Sequence, residues 1–165
     1  MTPQHPAVVH FPIALTIVSV VADATAWVMR GSAAAPSLFA TGWWTLVGAV
    51  ALGAVAIVLG LSDMRRQKIP EEAHRRVHYH MRIGFTVFVV LGVLFVWRLV
   101  QIIGGQFSVG PAYLSLAIVA LALIVYQGWL GGELVFRYGV GVTPTGHAGR
   151  ANAAIPSASH REHAG

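Results

Sequence analysis

The chain has no cysteine and only 6 Asp and Glu among 165 residues. Without thiols it can form no disulfide, thiolate metal site, cysteine-held iron–sulfur cluster or c-type haem linkage, so any metal must be held by imidazole, carboxylate or carbonyl oxygen. Charged residues of both signs make up 10% of the sequence against 56% hydrophobic, and the mean hydropathy is +0.67. That balance excludes an ordinary soluble domain and points to the lipid bilayer as solvent. Phosphate loops, nucleophile triads and zincin motifs are missing, which argues against a stand-alone enzyme. No nucleic-acid motif is found either, and the net charge of +5 suits anionic lipid headgroups better than a phosphodiester backbone.

What is present is four apolar stretches, each near the roughly 20 residues that cross a hydrocarbon core of about 30 Å. None has the short apolar region and cleavage site of a signal peptide, so the first is read as a retained span. The spans are predicted at about 8–29, 39–61, 80–103 and 112–135, within a transmembrane domain 1–142. The tail 143–165, rich in Ala, Gly, Ser, Pro and His and containing His147, His160 and His163, is predicted to be disordered. Pro12 falls in the first turns of span one, where a missing N–H does little harm. In span two Ala49, Gly53, Ala56 and Gly60 put small side chains on one face, with Asp63 on the same stripe, so that a neighbouring helix can approach closely. Pro70-Glu71-Glu72 reads as a helix start. Trp27, Trp43, Trp44, Trp97 and Trp129 read as interface-belt or packing residues.

Short connectors between four spans imply an all-α, antiparallel up-down bundle. His5, His10, Asp63, His74, His78, His80 and Glu133 then share one membrane face. On that face lie Arg65, Arg66, Lys68, Arg75, Arg76, Arg82 and Arg137, against Arg30 and Arg98 on the other. The positive-inside rule therefore places the histidine face and both termini in the cytoplasm.

These residues also carry a family likeness. His5-Pro6, Val9-His10-Phe11-Pro12-Ile13-Ala14-Leu15, Gly60 to Asp63, the histidines before span three, Gly131-Gly132-Glu133-Leu134-Val135 and Gly139-Val140-Gly141-Val142 together resemble the bacterial membrane family called domain of unknown function 2231. The resemblance covers almost all of the chain except the tail. It implies a four-helix integral domain of the bacterial inner membrane, joined in some members to Rieske or c-type cytochrome modules, and it implies no activity.

Three chemistries are weighed from the residues themselves. His10 on span one and His78 or His80 on span three could ligate a b-type haem from opposite sides, with Gly84, Gly128 and Gly131 making room and Arg65, Arg66, Arg76 and Arg82 pairing with the propionates. Alternatively, His5, His10, His78 or His80 with Asp63 or Glu133 could hold a zinc, copper or iron ion, or these residues only organise the bundle mouth. Glu133 is otherwise a charge partner for Arg66, Arg75 or Arg82. Asp23 lies about 20 Å further along span one than His10 and shares a face with Thr16 and Ser19. An Asp23–Arg98 ion pair inside the bundle is its simplest reading, ahead of a proton relay, and Gln127 could join either network. The expectation is a small membrane redox subunit that binds haem b and passes electrons to a partner, with a redox protein or a second copy of the chain as the candidate partners. The alternative is a non-redox subunit with a metal ion or a purely structural cluster.

Overall fold

The structure is a computed structural model, and it describes residues 5–66, 69–140 and 142. Lys68, Gly141, the tail beyond Val142 and the tail histidines lie outside the described residues. Five helices follow in order: α1 (His5–Val8), α2 (His10–Val28), α3 (Ala35–Arg66), α4 (His74–Ile103) and α5 (Pro111–Tyr138). No strand occurs among the described residues. Four helical stretches, His5–Val28 counted as one, are long and apolar enough to cross a membrane. The protein is an all-α integral membrane protein.

Helices α1 and α2 are nearly one rod. Val9 between them keeps helical angles, φ −60° and ψ −25°, and its N–H donates to the His5 carbonyl. Pro12 accounts for the interruption, because it has no N–H to offer the Val8 carbonyl one turn back. α3 has 32 residues, about 48 Å of helix, and so extends beyond the hydrocarbon at one or both ends. Instead of opening a full α-turn, Glu71–Ala73 forms a 3₁₀ turn, with the Ala73 N–H on the Pro70 carbonyl, and α4 starts at His74. At the other end of the chain α5 is closed by Gly139, whose φ of +62° is the left-handed conformation that glycine adopts without steric cost.

Packing follows a repeat of three and four residues on every long helix. Pro12, Thr16, Ser19, Asp23 and Ala26 are buried on α2, and Phe39, Gly42, Leu46, Ala49 and Ala56 on α3. α4 buries Val77, Val87, Leu91, Leu94 and Arg98, with half-buried His80 and Gly84 filling the gap in the series. α5 buries Tyr113, Ala117, Ala120, Ile124 and Leu134, with half-buried Gln127 and Gly131 in step. A 3.5-residue period keeps one seam of each helix on its partners along its whole length. Contacts run α2 to α3, α3 to α4, α4 to α5 and α5 back to α2, which closes a four-membered ring, while α1 docks on α3.

The small-residue stripe of α3 serves this closeness at named points. A Cβ on Gly53 would touch the Phe88 ring at 3.4 Å, and one on Gly60 would stand 3.1 Å from His5 Nδ1. At Gly42 a Cβ would collide with the Asp23 carboxylate. Gly42→Ala is therefore expected to lower stability by about 1–3 kcal/mol through overpacking, whereas Gly92→Ala, at a position with open space, should be neutral. Thermal unfolding of both variants in mild detergent checks the difference.

Candidate functional site

Two polar centres occupy the bundle interior, one near each end. At the far end Asp23 of α2 and Arg98 of α4 are fully buried, and Arg98 Nη1 donates to Asp23 Oδ1. Arg98 Nη2 donates to the Phe39 carbonyl at 2.8 Å. The guanidinium also lies over two rings, 3.9 Å from the Phe39 centroid and 5.5 Å from that of Tyr113. Close by, the Ser19 hydroxyl crosses to the Gly42 carbonyl at 2.8 Å, while Thr16 bonds back to the Pro12 carbonyl of its own helix. Charge, planar donor fork and aromatic faces are thus matched within one layer, which is what an arginine needs in a medium without water.

At the near end the structure brings together His5 and His80. Their ring centroids are 6.4 Å apart and the planes nearly perpendicular, at 87°. His5 is held by α3: its backbone N–H donates to Asp63 Oδ2 at 2.9 Å, and its Nδ1–H donates to the Ala56 carbonyl at 2.7 Å. Its Nε2 makes no hydrogen bond among the described residues. His80 is held by α5, where Gln127 Nε2 lies 3.1 Å from His80 Nε2. Turned about, the same amide would accept from Nε2–H through Oε1; in either orientation His80 Nδ1 is buried without a partner among the described residues. Glycines make the room. A Cβ on Gly84 would be 2.8 Å from Gln127 Nε2, and one on Gly131 would be 3.3 Å from His80 Cε1.

Other residues expected at this site stand elsewhere. His10 is exposed and its Nδ1 bonds to the Pro6 carbonyl at 2.9 Å, so it is turned to its own helix and does not pair with His78 or His80. His78 is also exposed and lines, with His74, Met64, Ile69 and Val77, a separate cavity of about 220 Å³. Glu133 pairs with Arg76 at 3.7 Å and Arg137 at 3.3 Å, not with Arg66, Arg75 or Arg82. Arg65, Arg66 and Arg82 are exposed and make no ion pair among the described residues. Among the described residues no three His, Asp or Glu side chains converge as a ready-made metal group, so the larger ligand set is not brought together there. Gln127 joins the histidine end and not the ion pair.

The physical reason is helical register. His5 lies on the α2 seam extended backward by four and three residues from Pro12, and His80 on the α4 seam three residues after Val77. His78 is one residue past the seam position Val77, a rotation of about 100°, and His10 stands two residues from both Val8 and Pro12, about 160° from the seam, so both are carried to the outside. Asp63 continues the α3 seam and Glu133 precedes the seam position Leu134. Reading the seam through the polar residues would have separated the two histidine pairs.

Taken as a whole, the architecture is a membrane bundle with glycines and polar groups at fixed seam positions, and a family model for a predicted membrane protein, DUF2231, matches residues 1–144. The chain belongs to the DUF2231 family. No curated protein and no solved structure matches it. The match spans all five helices of this DUF2231 chain, so both polar centres lie within the family domain.

Breaking the far centre should be costly. Asp23→Ala or Arg98→Ala leaves an uncompensated buried charge and is expected to lower stability by about 3–5 kcal/mol. The double variant Asp23→Leu/Arg98→Met should recover most of the loss, and a double-mutant cycle by unfolding in detergent measures it.

Proposed function

We propose that this DUF2231 chain is a small redox subunit of the bacterial inner membrane that holds a transition-metal ion between His5 and His80 and passes electrons to a partner protein. The observation that carries the reading is the way the two rings are tied. A metal-binding imidazole typically donates its other ring N–H to a carbonyl, which sets the tautomer and aims the free nitrogen at the metal. His5 does this through Nδ1–H to Ala56, leaving Nε2 available. His80 can do it through Nε2–H to the Gln127 amide oxygen, leaving the buried Nδ1.

Spacing supports the same reading. Nitrogens about 2.0–2.1 Å from a shared metal put imidazole centroids roughly 6 Å apart. The observed 6.4 Å is of that size. Between a compact ion and the macrocycle of haem b, the packing favours the ion, because His5 sits against α3 at Gly60 and His80 against α5 at Gly131 with little clearance. Two imidazoles leave further positions for water or for a ligand from a partner or second copy, and copper or iron would supply one-electron chemistry there. The basic residues beside this mouth support a cytoplasmic placement of the site and of both termini.

Metal analysis and a reduced-minus-oxidised visible spectrum of the protein in mild detergent test the proposal. A stoichiometric copper or iron ion is expected, lost on His5→Ala or His80→Ala and kept on His10→Ala or His78→Ala, with helical circular dichroism unchanged in all four. A sharp b-type haem band lost in the same two variants would replace the ion by haem on the same ring pair. A folded wild-type chain that takes up neither copper, iron nor haem would overturn the redox reading and leave the two rings as a latch between α3 and α5.

A further inference from the structure

The opposite mouth of the bundle holds a second site, independent of the histidines. There the α2–α3 connector and the α4–α5 connector enclose a cavity of about 400 Å³, lined chiefly by Trp27, Arg30, Phe39, Phe107, Ser108 and Val109. Its walls are mostly apolar. Phe39, at the bottom, is the buried ring that lies on the Arg98 guanidinium and packs edge-on against Phe107 at 6.1 Å. Phe107 itself is 64% exposed, an unusual place for a phenyl ring unless lipid or a ligand covers it.

Arg30 gives the cavity its polarity. Its guanidinium stands 4.6 Å from the Trp27 ring centroid, with Nη1 on the Trp27 carbonyl at 3.3 Å, and the remaining donors point to no acceptor among the described residues. The sequence has no Asp or Glu at 24–62 or 73–132, so neither connector at this mouth can supply a counter-ion. Asp23, the nearest carboxylate in sequence, is buried and committed to Arg98. A cation without a carboxylate therefore rims an apolar cleft.

Depth supplies the last constraint. Trp27 lines the cleft, and Trp43, Trp44 and Trp97 belong to the same end of the bundle, with Trp44 68% exposed. Tryptophans at the end of spanning helices mark the level of lipid headgroups. A molecule that meets a guanidinium at headgroup height and an apolar wall just below it has an anionic head and an acyl body.

We propose that this cleft binds one anionic phospholipid of the surrounding bilayer, its phosphate on Arg30 and an acyl chain against Phe107 and Val109. Arginine suits the role because its fork can give two parallel hydrogen bonds to a phosphate while its plane rests on an aromatic ring. The bound lipid would cover the exposed face of Phe107 and supply the charge that both connectors lack.

Native mass spectrometry of the full chain, released from mild detergent after incubation with either phosphatidylglycerol or phosphatidylcholine, tests this. The exposed basic residues of the other mouth also attract anionic lipid, so the comparison is between variants. Wild type and Arg65→Gln should both retain one tightly held phosphatidylglycerol. In Arg30→Gln, retention of that lipid should fall about tenfold, the loss of roughly one charge-assisted hydrogen bond. Melting temperatures without added lipid should be equal for the three proteins, since Arg30 is exposed. Equal retention of phosphatidylcholine and phosphatidylglycerol, or undiminished binding by Arg30→Gln, would overturn the proposal. Displacement of the lipid by millimolar inorganic phosphate would overturn the acyl half of it and leave a free-anion site.

Discussion

A helix in lipid has no water to satisfy its polar side chains, so whatever is polar between the headgroups must find a partner inside the bundle. The rest of this structure depends on that constraint. Four helices repeat at 3.5 residues and present one seam each, and the seam is where Thr16, Ser19, Asp23, Arg98, His80 and Gln127 are found. Each of these groups makes a hydrogen bond there, donating to a backbone carbonyl or pairing with another side chain on the seam. Small residues opposite them are the other half of the arrangement. Gly42 leaves space for Asp23, Gly60 for His5, Gly84 for Gln127 and Gly131 for His80.

The two polar centres differ in what they leave unspent. At the far end opposite charges, a carbonyl and two aromatic faces surround Arg98, which is how a buried ion pair recovers part of its desolvation cost, while Arg98 Nε and Asp23 Oδ2 stay buried without a partner among the described residues. At the near end the two rings themselves make no ion pair among the described residues. Two imidazoles each keep one ring nitrogen uncommitted within the described residues. Uncommitted nitrogens on two neighbouring imidazoles inside a membrane bundle invite chemistry; opposite charges locked to each other hold helices together.

The number and character of the helices were legible in hydropathy alone, because crossing a bilayer demands long apolar runs that leave little room for ambiguity. The partnership of Asp23 with Arg98 was also suggested by sequence, since two opposite charges at similar depth on different spans have few alternatives. The histidines were harder. His10 was matched with His78 or His80 because they lie at similar depth at the ends of their spans, but depth says nothing about rotation around the helix axis. His78 lies one residue off the seam that carries His80 and His10 two residues off the one that carries His5, and such rotation is visible only when the repeat is traced through polar positions that a hydropathy profile treats as interruptions. Glu133 was misassigned among several arginines for a related reason: the choice among neighbours on one face depends on side-chain reach, which spacing does not specify.

His5 belongs to α1, and α1 is docked on α3 by the Asp63 and Ala56 hydrogen bonds, while Pro12 interrupts its ladder to α2. Spanning helices tilt to match membranes of different thickness. Because the first imidazole is fastened to α3 by two hydrogen bonds as well as opening the rod of α2, its place is set by both helices. A change of tilt between α2 and α3 would therefore load the two bonds that hold His5, and with them the spacing of the ring pair.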